Sequence, residues 1–272
     1  MTRLAPPESA ARVDAAARLL LDASRDGILL DDLPYNLRPL SRTEAYNVQT
    51  RVAELRGQAT VGWKIAATST AGQQHINVTG PMAGRVLRDR LVSDASTISL
   101  AGNAMRLAEL EFVFSMGTTL QPRRHLYTRS EVRDAVQTLH LGIELPGTRF
   151  REVTAVGELQ LIADNACSHD FLLGPQAPRA WEAMALDQCA VNGVVAGPSG
   201  TRTAAGFGAN VLGHPLQALT WLVNELSFQE IPLDAGQFVT TGTCCVPMPL
   251  EPGDELTATF GELGSIICSF VA

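Results

Sequence analysis

The chain has 272 residues, of which 46% are hydrophobic and 18% charged, and its 21 basic and 28 acidic side chains leave a net charge of -7. That length suits one large globular unit, or one unit with a smaller appendage. The acidic balance argues against nucleic acid or an anionic membrane as the main partner. No apolar run approaches the length of a membrane span. Residues 1–7 lack the charged-then-apolar pattern of a signal peptide, so a cytoplasmic location is expected. The five cysteines (Cys167, Cys189, Cys244, Cys245 and Cys268) are odd in number and form no CxxC. They read as reduced core or site thiols, and a structural zinc site is not expected.

In chain order, residues 8–26 predict a helix with Val13, Ala16, Ala17, Leu20 and Ala23 on one face and Gly27 as its stop. Residues 30–40 read as a connector. Ser41-Arg42-Thr43-Glu44 predicts a capping box, opening a second helix that ends near Gly57 with Ala45, Val48, Val52 and Leu55 on its apolar face. Residues 1–58 are thus expected to form a helical section, continuous with a β-rich body over 59–272. Within the body, residues 60–66 predict a strand, 71–76 a short helix and 85–87 a short strand. Thr128 to Glu131 predicts another capping box, with a helix running to about His140 and a strand from Leu141 to Leu145. Asn192-Gly193 signals a tight hairpin. The glycine-rich stretch 198–214 has no Gly-Lys-Ser/Thr and does not match a phosphate-binding loop. Pro215 opens a helix through Leu226. The tail predicts strands over 238–242, 255–260 and 265–271. Helices first, then a mostly β body, is an α+β order.

The chemistry concentrates in residues 106–116. Glu109, Glu111, Val113 and Ser115 alternate with Leu110, Phe112, Phe114 and Met116, the period-2 pattern of a strand with one face on a core. Two carboxylates on the same face repel unless compensated. A hard divalent cation would compensate them, because such ions take carboxylate oxygens; a solvated polar face is the other reading. Glu144 lies in an otherwise apolar strand, where a carboxylate is costly unless paired or metal-bound; the alternative is an exposed strand end before Pro146. Lys64 sits in Val61-Gly62-Trp63-Lys64-Ile65-Ala66, either as the cation that an anionic substrate needs or as a snorkelling edge lysine. Asp164 and Asn165, inside apolar flanks, read as a turn or as a polar contact to a site.

Taken together, the motifs resemble the 2-keto-4-pentenoate hydratase / 4-oxalocrotonate decarboxylase group of the fumarylacetoacetate hydrolase superfamily. The resemblance rests on Gly62-Trp63-Lys64-Ile65, Arg106 with Glu109-Leu110-Glu111, Ile143-Glu144 and Ala163-Asp164-Asn165-Ala166. Val211-Leu212-Gly213-His214-Pro215, Pro252-Gly253-Asp254 and the residues from Phe260 to Ser265 extend it in one consistent order. It implies an α+β fold with an N-terminal helical section and a mixed β-sandwich or roll body. It implies Mg2+ or Mn2+ held by Glu109, Glu111 and Glu144. Lys64 matches the family's site lysine, and Cys167 stands where the family carries serine, with Ser168 beside it. These three are the expected catalytic groups, with Lys64, Arg106, Asp164 and Asn165 expected to bind substrate.

The implied substrates are small 2-oxo acids or their dienols, with no nucleic-acid or membrane partner and with self-association into a homo-oligomer. The implied reaction is water addition to a 2-hydroxy-2,4-dienoate, ahead of decarboxylation. The alternatives are C–C hydrolysis of β-diketo acids, for which His75 has no companion glutamate in sequence, and a non-catalytic relative that binds 2-oxo acids. One segment departs from the pattern. Residues 78–84, Val-Thr-Gly-Pro-Met-Ala-Gly, lack the acids that hydratases of the group carry there, so proton transfer is expected to use another group or to belong to another reaction.

Overall fold

The computed structural model of the chain describes residues 7–92 and 97–272. Residues 1–6, most of the stretch read as lacking a signal pattern, lie outside the described residues. Two helices open the chain, α1 (Pro7–Asp26) and α2 (Arg42–Arg56), followed by β1 (Thr60–Ala66), α3 (Thr70–His75) and β2 (Met82–Leu87). Next come β3 (Leu91–Val92), β4 (Ile98–Ser99), β5 (Leu107–Met116), α4 (Arg129–Asp134), β6 (Val136–Leu145), α5 (Glu158–Ala163) and β7 (Asp170–Gln176). The last third holds β8 (Ala190–Gly197), β9 (Gly200–Phe207), α6 (Pro215–Phe228), β10 (Phe238–Thr240), β11 (Met248–Pro249), β12 (Glu255–Phe260) and β13 (Ser265–Val271).

Two sheets form the body, as the α+β reading expects. The larger runs β2-β1-β10-β5-β6-β7-β3, with β11 added to β5, and the smaller runs β4-β13-β12-β8-β9. Alternation along β5 sets their packing. Leu110, Phe112 and Phe114 are fully buried and face the smaller sheet, where the Phe112 and Phe260 rings meet edge to face at 5.5 Å. The opposite face of β5 lines the inside of a curl. Phe171 on β7 and Phe238 on β10 stack at 5.4 Å although β5 and β6 lie between their strands. Gly142 makes this closure possible: a Cβ there would lie 2.5 Å from Phe171 Cζ and 2.6 Å from Val113 Cγ2.

Four local expectations change. Ser41 caps α2 by accepting from Glu44 N at 3.2 Å, but the Glu44 carboxylate serves Leu40 N at 2.7 Å and Arg12 of α1 at 2.5 Å, which ties the two helices together instead of closing a box. The capping box at Thr128 forms. Its helix stops at Asp134, because Val136 to Leu145 pairs along its length with β5 and β7 and the sheet overrides the helical reading. No hairpin turns at Asn192-Gly193. β8 runs straight through to Gly197 and turns into β9 at Gly200. Gly193 instead admits Met248, whose Sδ would lie 2.4 Å from a Cβ there. The tail strand predicted over 238–242 ends at Thr240.

Gly142→Val is expected to destabilise the fold by about 1–3 kcal/mol through overpacking of the curl. Urea denaturation of both proteins checks this, and an unchanged midpoint would contradict the packing described.

Candidate metal centre and active site

β5 and β6 pair antiparallel with Glu109 directly opposite Glu144. Glu111 follows Glu109 on the same face, so three carboxylates converge, each offering an oxygen within 4.8 Å of the others. Glu111 and Glu144 are buried, and Glu109 is partly exposed. Like charges opposite one another in a ladder destabilise it, and burial raises that cost. Among the described residues, Lys64 of β1 is the one cation that pairs with the cluster, with Nζ 3.1 Å from Glu144 Oε1.

Hydrogen bonding compensates only part of this charge. Glu111 Oε2 accepts from the Thr240 hydroxyl and from Gly242 N at 2.7 Å. Glu111 Oε1 and both Glu144 oxygens are buried without a hydrogen-bond partner, since the Lys64 contact is an ion pair out of hydrogen-bond alignment. Native interiors leave few polar atoms in that state. Burial, then the Glu144 charge, pushes the Glu109 carboxyl up to about 7 against the pull of Lys64. Burial also raises Glu111 well above the usual carboxylate range and raises Glu144. Burial pulls the Lys64 ammonium down, but Glu144 and then Glu109 outweigh it, so Lys64 stays charged. Converging hard oxygens with unused lone pairs are the donor set of a divalent cation. These residues fit such an ion.

A strained loop completes the site. Asn165, Ala166 and Cys167 have φ of 59°, 50° and 60°, three successive left-handed residues that are not glycine. Each such residue costs about 1–3 kcal/mol and persists only where its surroundings over-determine it. Here the Ala166 carbonyl accepts from Lys64 Nζ at 2.9 Å, and Gly147 N donates to the Cys167 carbonyl at 2.8 Å. Asn165 brackets the open edge of β2, accepting from Arg85 N at 2.7 Å and donating to Arg85 O at 2.8 Å. Gly84 is required at that approach, because a Cβ would lie 2.3 Å from the Asn165 carbonyl oxygen and 3.1 Å from Lys64 Cδ.

Glu109, Glu111, Glu144 and Lys64 thus come together, while Asp164, Asn165 and Ser168 hydrogen-bond to Arg149, Thr148 and Arg85. Asp164 accepts from the Arg149 side chain, from Arg149 N at 2.9 Å and from Thr148 Oγ1 at 2.6 Å, so it anchors the loop and offers no oxygen to a substrate. The Asn165 amide is saturated by Arg85, and the Ser168 hydroxyl donates to Arg85 O at 3.0 Å. Cys167 is buried, and burial pushes its thiol up to about 12, which removes it as a thiolate nucleophile. Arg106 is exposed, begins β5 from a φ of 48°, and forms no ion pair among the described residues. His75 is also exposed. Thr240, Gly242 and the Ala166 carbonyl escape a reading of the sequence, because each enters through a chain crossing that no local pattern encodes.

Without an ion, the high carboxyl pKa of Glu109 makes the folded state hold a proton that the unfolded chain releases near the ordinary 4.5. This contribution to stability is present at low pH and is lost as pH rises from about 4.5 to about 7. Denaturation of chelator-treated protein across that range is expected to show the fall, and Glu109→Gln to flatten it. A wild-type profile that falls no more steeply than that of Glu109→Gln would contradict the geometry.

Three comparisons place the chain. No family model matches it. It is 30% identical over 260 residues to 2-keto-4-pentenoate hydratase 1 of Dechloromonas aromatica (strain RCB), covering 94% of this chain and 96% of the relative. It is 29% identical over 232 residues to the 4-oxalocrotonate decarboxylase of Pseudomonas sp. (strain CF600), covering 84% and 85%. Among solved structures, 4-oxalocrotonate decarboxylase from Pseudomonas putida G7, complexed with magnesium and adipate, superposes with a TM-score of 0.84 at 24% identity, over 99% of this chain and all of that one. That likeness gives the fold, and the relative at 30% identity gives the family. The chain belongs to the 2-keto-4-pentenoate hydratase / 4-oxalocrotonate decarboxylase group.

Proposed function

We propose that the protein is a divalent-metal-dependent lyase of small 2-oxo acids or their dienols, with Glu109, Glu111 and Glu144 as the ligands of Mg2+ or Mn2+. The observation that carries this reading is the convergence of three carboxylates, with Glu111 Oε1 and both Glu144 oxygens buried without a hydrogen-bond partner. A bound ion supplies Lewis acidity toward the oxygens of a 2-oxo carboxylate. The chain's own residues do the rest. Thr240 and Gly242 N fix the orientation of Glu111. Lys64, held by Glu144 and the Ala166 carbonyl, presents a fixed positive charge at the site. Because Glu144 and then Glu109 hold it in its charged form against burial, Lys64 serves to bind an anionic substrate.

Water addition to a 2-hydroxydienoate is favoured over decarboxylation, as most of the relatives at this level of similarity are named hydratases. The two reactions differ in the acid-base groups they need beyond the carboxylate centre. Residues 78–84 carry no acid, and the carboxylate that does reach them is Glu158, which accepts from Thr79 N at 3.0 Å and from Thr79 Oγ1 at 2.6 Å. Arg42 pairs with it too, and its pKa is lowered despite partial burial, so Glu158 stays ionised and is committed to the loop. Decarboxylation does not need an acid there, and this keeps it as the second reading. We further propose a homo-oligomer built on the outer face of the smaller sheet, where Val194 and Ile267 stand 41% and 58% exposed.

Ultraviolet loss of a 2-hydroxydienoate with Mg2+ and without CO2 release is expected, whereas CO2 release from an oxalocrotonate would transfer the assignment to the decarboxylase. Glu109→Ala and Glu111→Ala are each expected to abolish Mn2+ binding in calorimetry while the fold persists; unchanged affinity in both would sink the ligand set. Lys64→Met should lose roughly a hundredfold or more in turnover while retaining Mn2+. Light scattering tests the oligomer, and a monomer at working concentration would exclude it.

A further inference from the structure

Away from the carboxylates, Arg85 is a part-buried arginine that lacks a counter-ion among the described residues. A cavity of about 40 Å3 lies between α1, α2, β2 and the loop that follows α5. Arg56, Arg85, Arg90 and Arg149 line it. Three of these are paired: Arg56 with Asp89 at 2.7 Å, Arg90 with Asp170 at 3.3 Å, and Arg149 with Asp164. Asp164, the acid that also lines the cavity, has both oxygens taken by Arg149 and Thr148. Arg85 pairs with no carboxylate among the described residues. Its Nη1 and Nη2 donate to the Thr60 and Thr50 hydroxyls at 3.3 and 2.9 Å, and its Nε is buried without a partner. The guanidinium lies 4.4 Å from the centre of the Trp63 ring. Burial pulls its pKa down to about 10, with Glu54 the acid acting against that. A stacked ring relieves only part of the cost of taking an unpaired charge out of water.

We propose that this cavity is an anion site, in which Arg85 holds a small oxyanion such as a phosphate, sulfate or carboxylate group. One water needs roughly 10–15 Å3 of such space, so the cavity has room for about three waters or for one small oxyanion. A planar guanidinium matches oxyanion geometry, and Nη1 and Nη2 of Arg85 each keep one N–H beyond those given to Thr60 and Thr50. The site is distinct from the carboxylate centre. Arg85 pairs with Trp63 across β2 and β1, whereas Lys64 projects from the other face of β1. The two sites share one loop: the Asn165 amide and the Ser168 hydroxyl hold the Arg85 backbone, and the Ala166 carbonyl holds Lys64.

Calorimetric titration with inorganic phosphate tests the proposal, run on the Mg2+-loaded protein and again after chelation. Saturable binding is expected in both states and is expected to weaken about tenfold or more in Arg85→Gln. Ser24 also lines the cavity. Ser24→Asp supplies an internal counter-ion and is expected to abolish phosphate binding and to raise the melting temperature in phosphate-free buffer. Absence of binding by the wild type, loss of binding on chelation, or unchanged affinity in Arg85→Gln would each overturn the proposal. If Arg85→Gln does not fold, Ser24→Asp decides, and unchanged affinity there overturns it.

Discussion

The structure depends on the Glu109–Glu144 pairing across β5 and β6. Two carboxylates facing each other in a ladder, with a third two residues along, are a repulsive arrangement that no sheet selects for its own stability. Neighbouring elements restrain it. Thr240 and Gly242 bring two donors to Glu111, and Lys64 brings one positive charge to Glu144. Three carboxylates against one positive group leave the centre short of cation, a deficit that the proposed divalent ion would fill.

The loop after α5 is the second element shaped by this demand. Its three left-handed residues put the Ala166 carbonyl on Lys64, while Arg149, Thr148 and the backbone of Arg85 hold it from outside. Strain is tolerated at functional sites when many contacts fix the same conformation. The polar residues of this loop therefore serve the site by position, since their hydrogen-bonding capacity is used within the fold.

Much of this was legible in the sequence. Period-2 alternation revealed β5 and which face carries the glutamates, and the isolated charges at Lys64 and Glu144 in apolar runs flagged both as candidates, beside the readings of an edge lysine and an exposed strand end. Caps at Thr128 and Pro215 set the starts of α4 and α6. Tertiary pairing decided the rest. Residues 136–140 keep helical company in sequence yet join the sheet, and Asn192-Gly193 looks like a turn yet serves close packing against Met248. The roles of Asp164, Asn165 and Ser168 were not legible, because their partners, Arg149 and Arg85, are fixed by the crossing of the loop over β2. Spacing could flag these residues as polar outliers but could not say which way they point.

The most direct test is a crystal structure of the Mn2+-soaked protein with anomalous data collected at the manganese edge. The account predicts one strong peak bounded by Glu109, Glu111 and Glu144. Carboxylates without a peak between them, or a peak held by other residues, would contradict it.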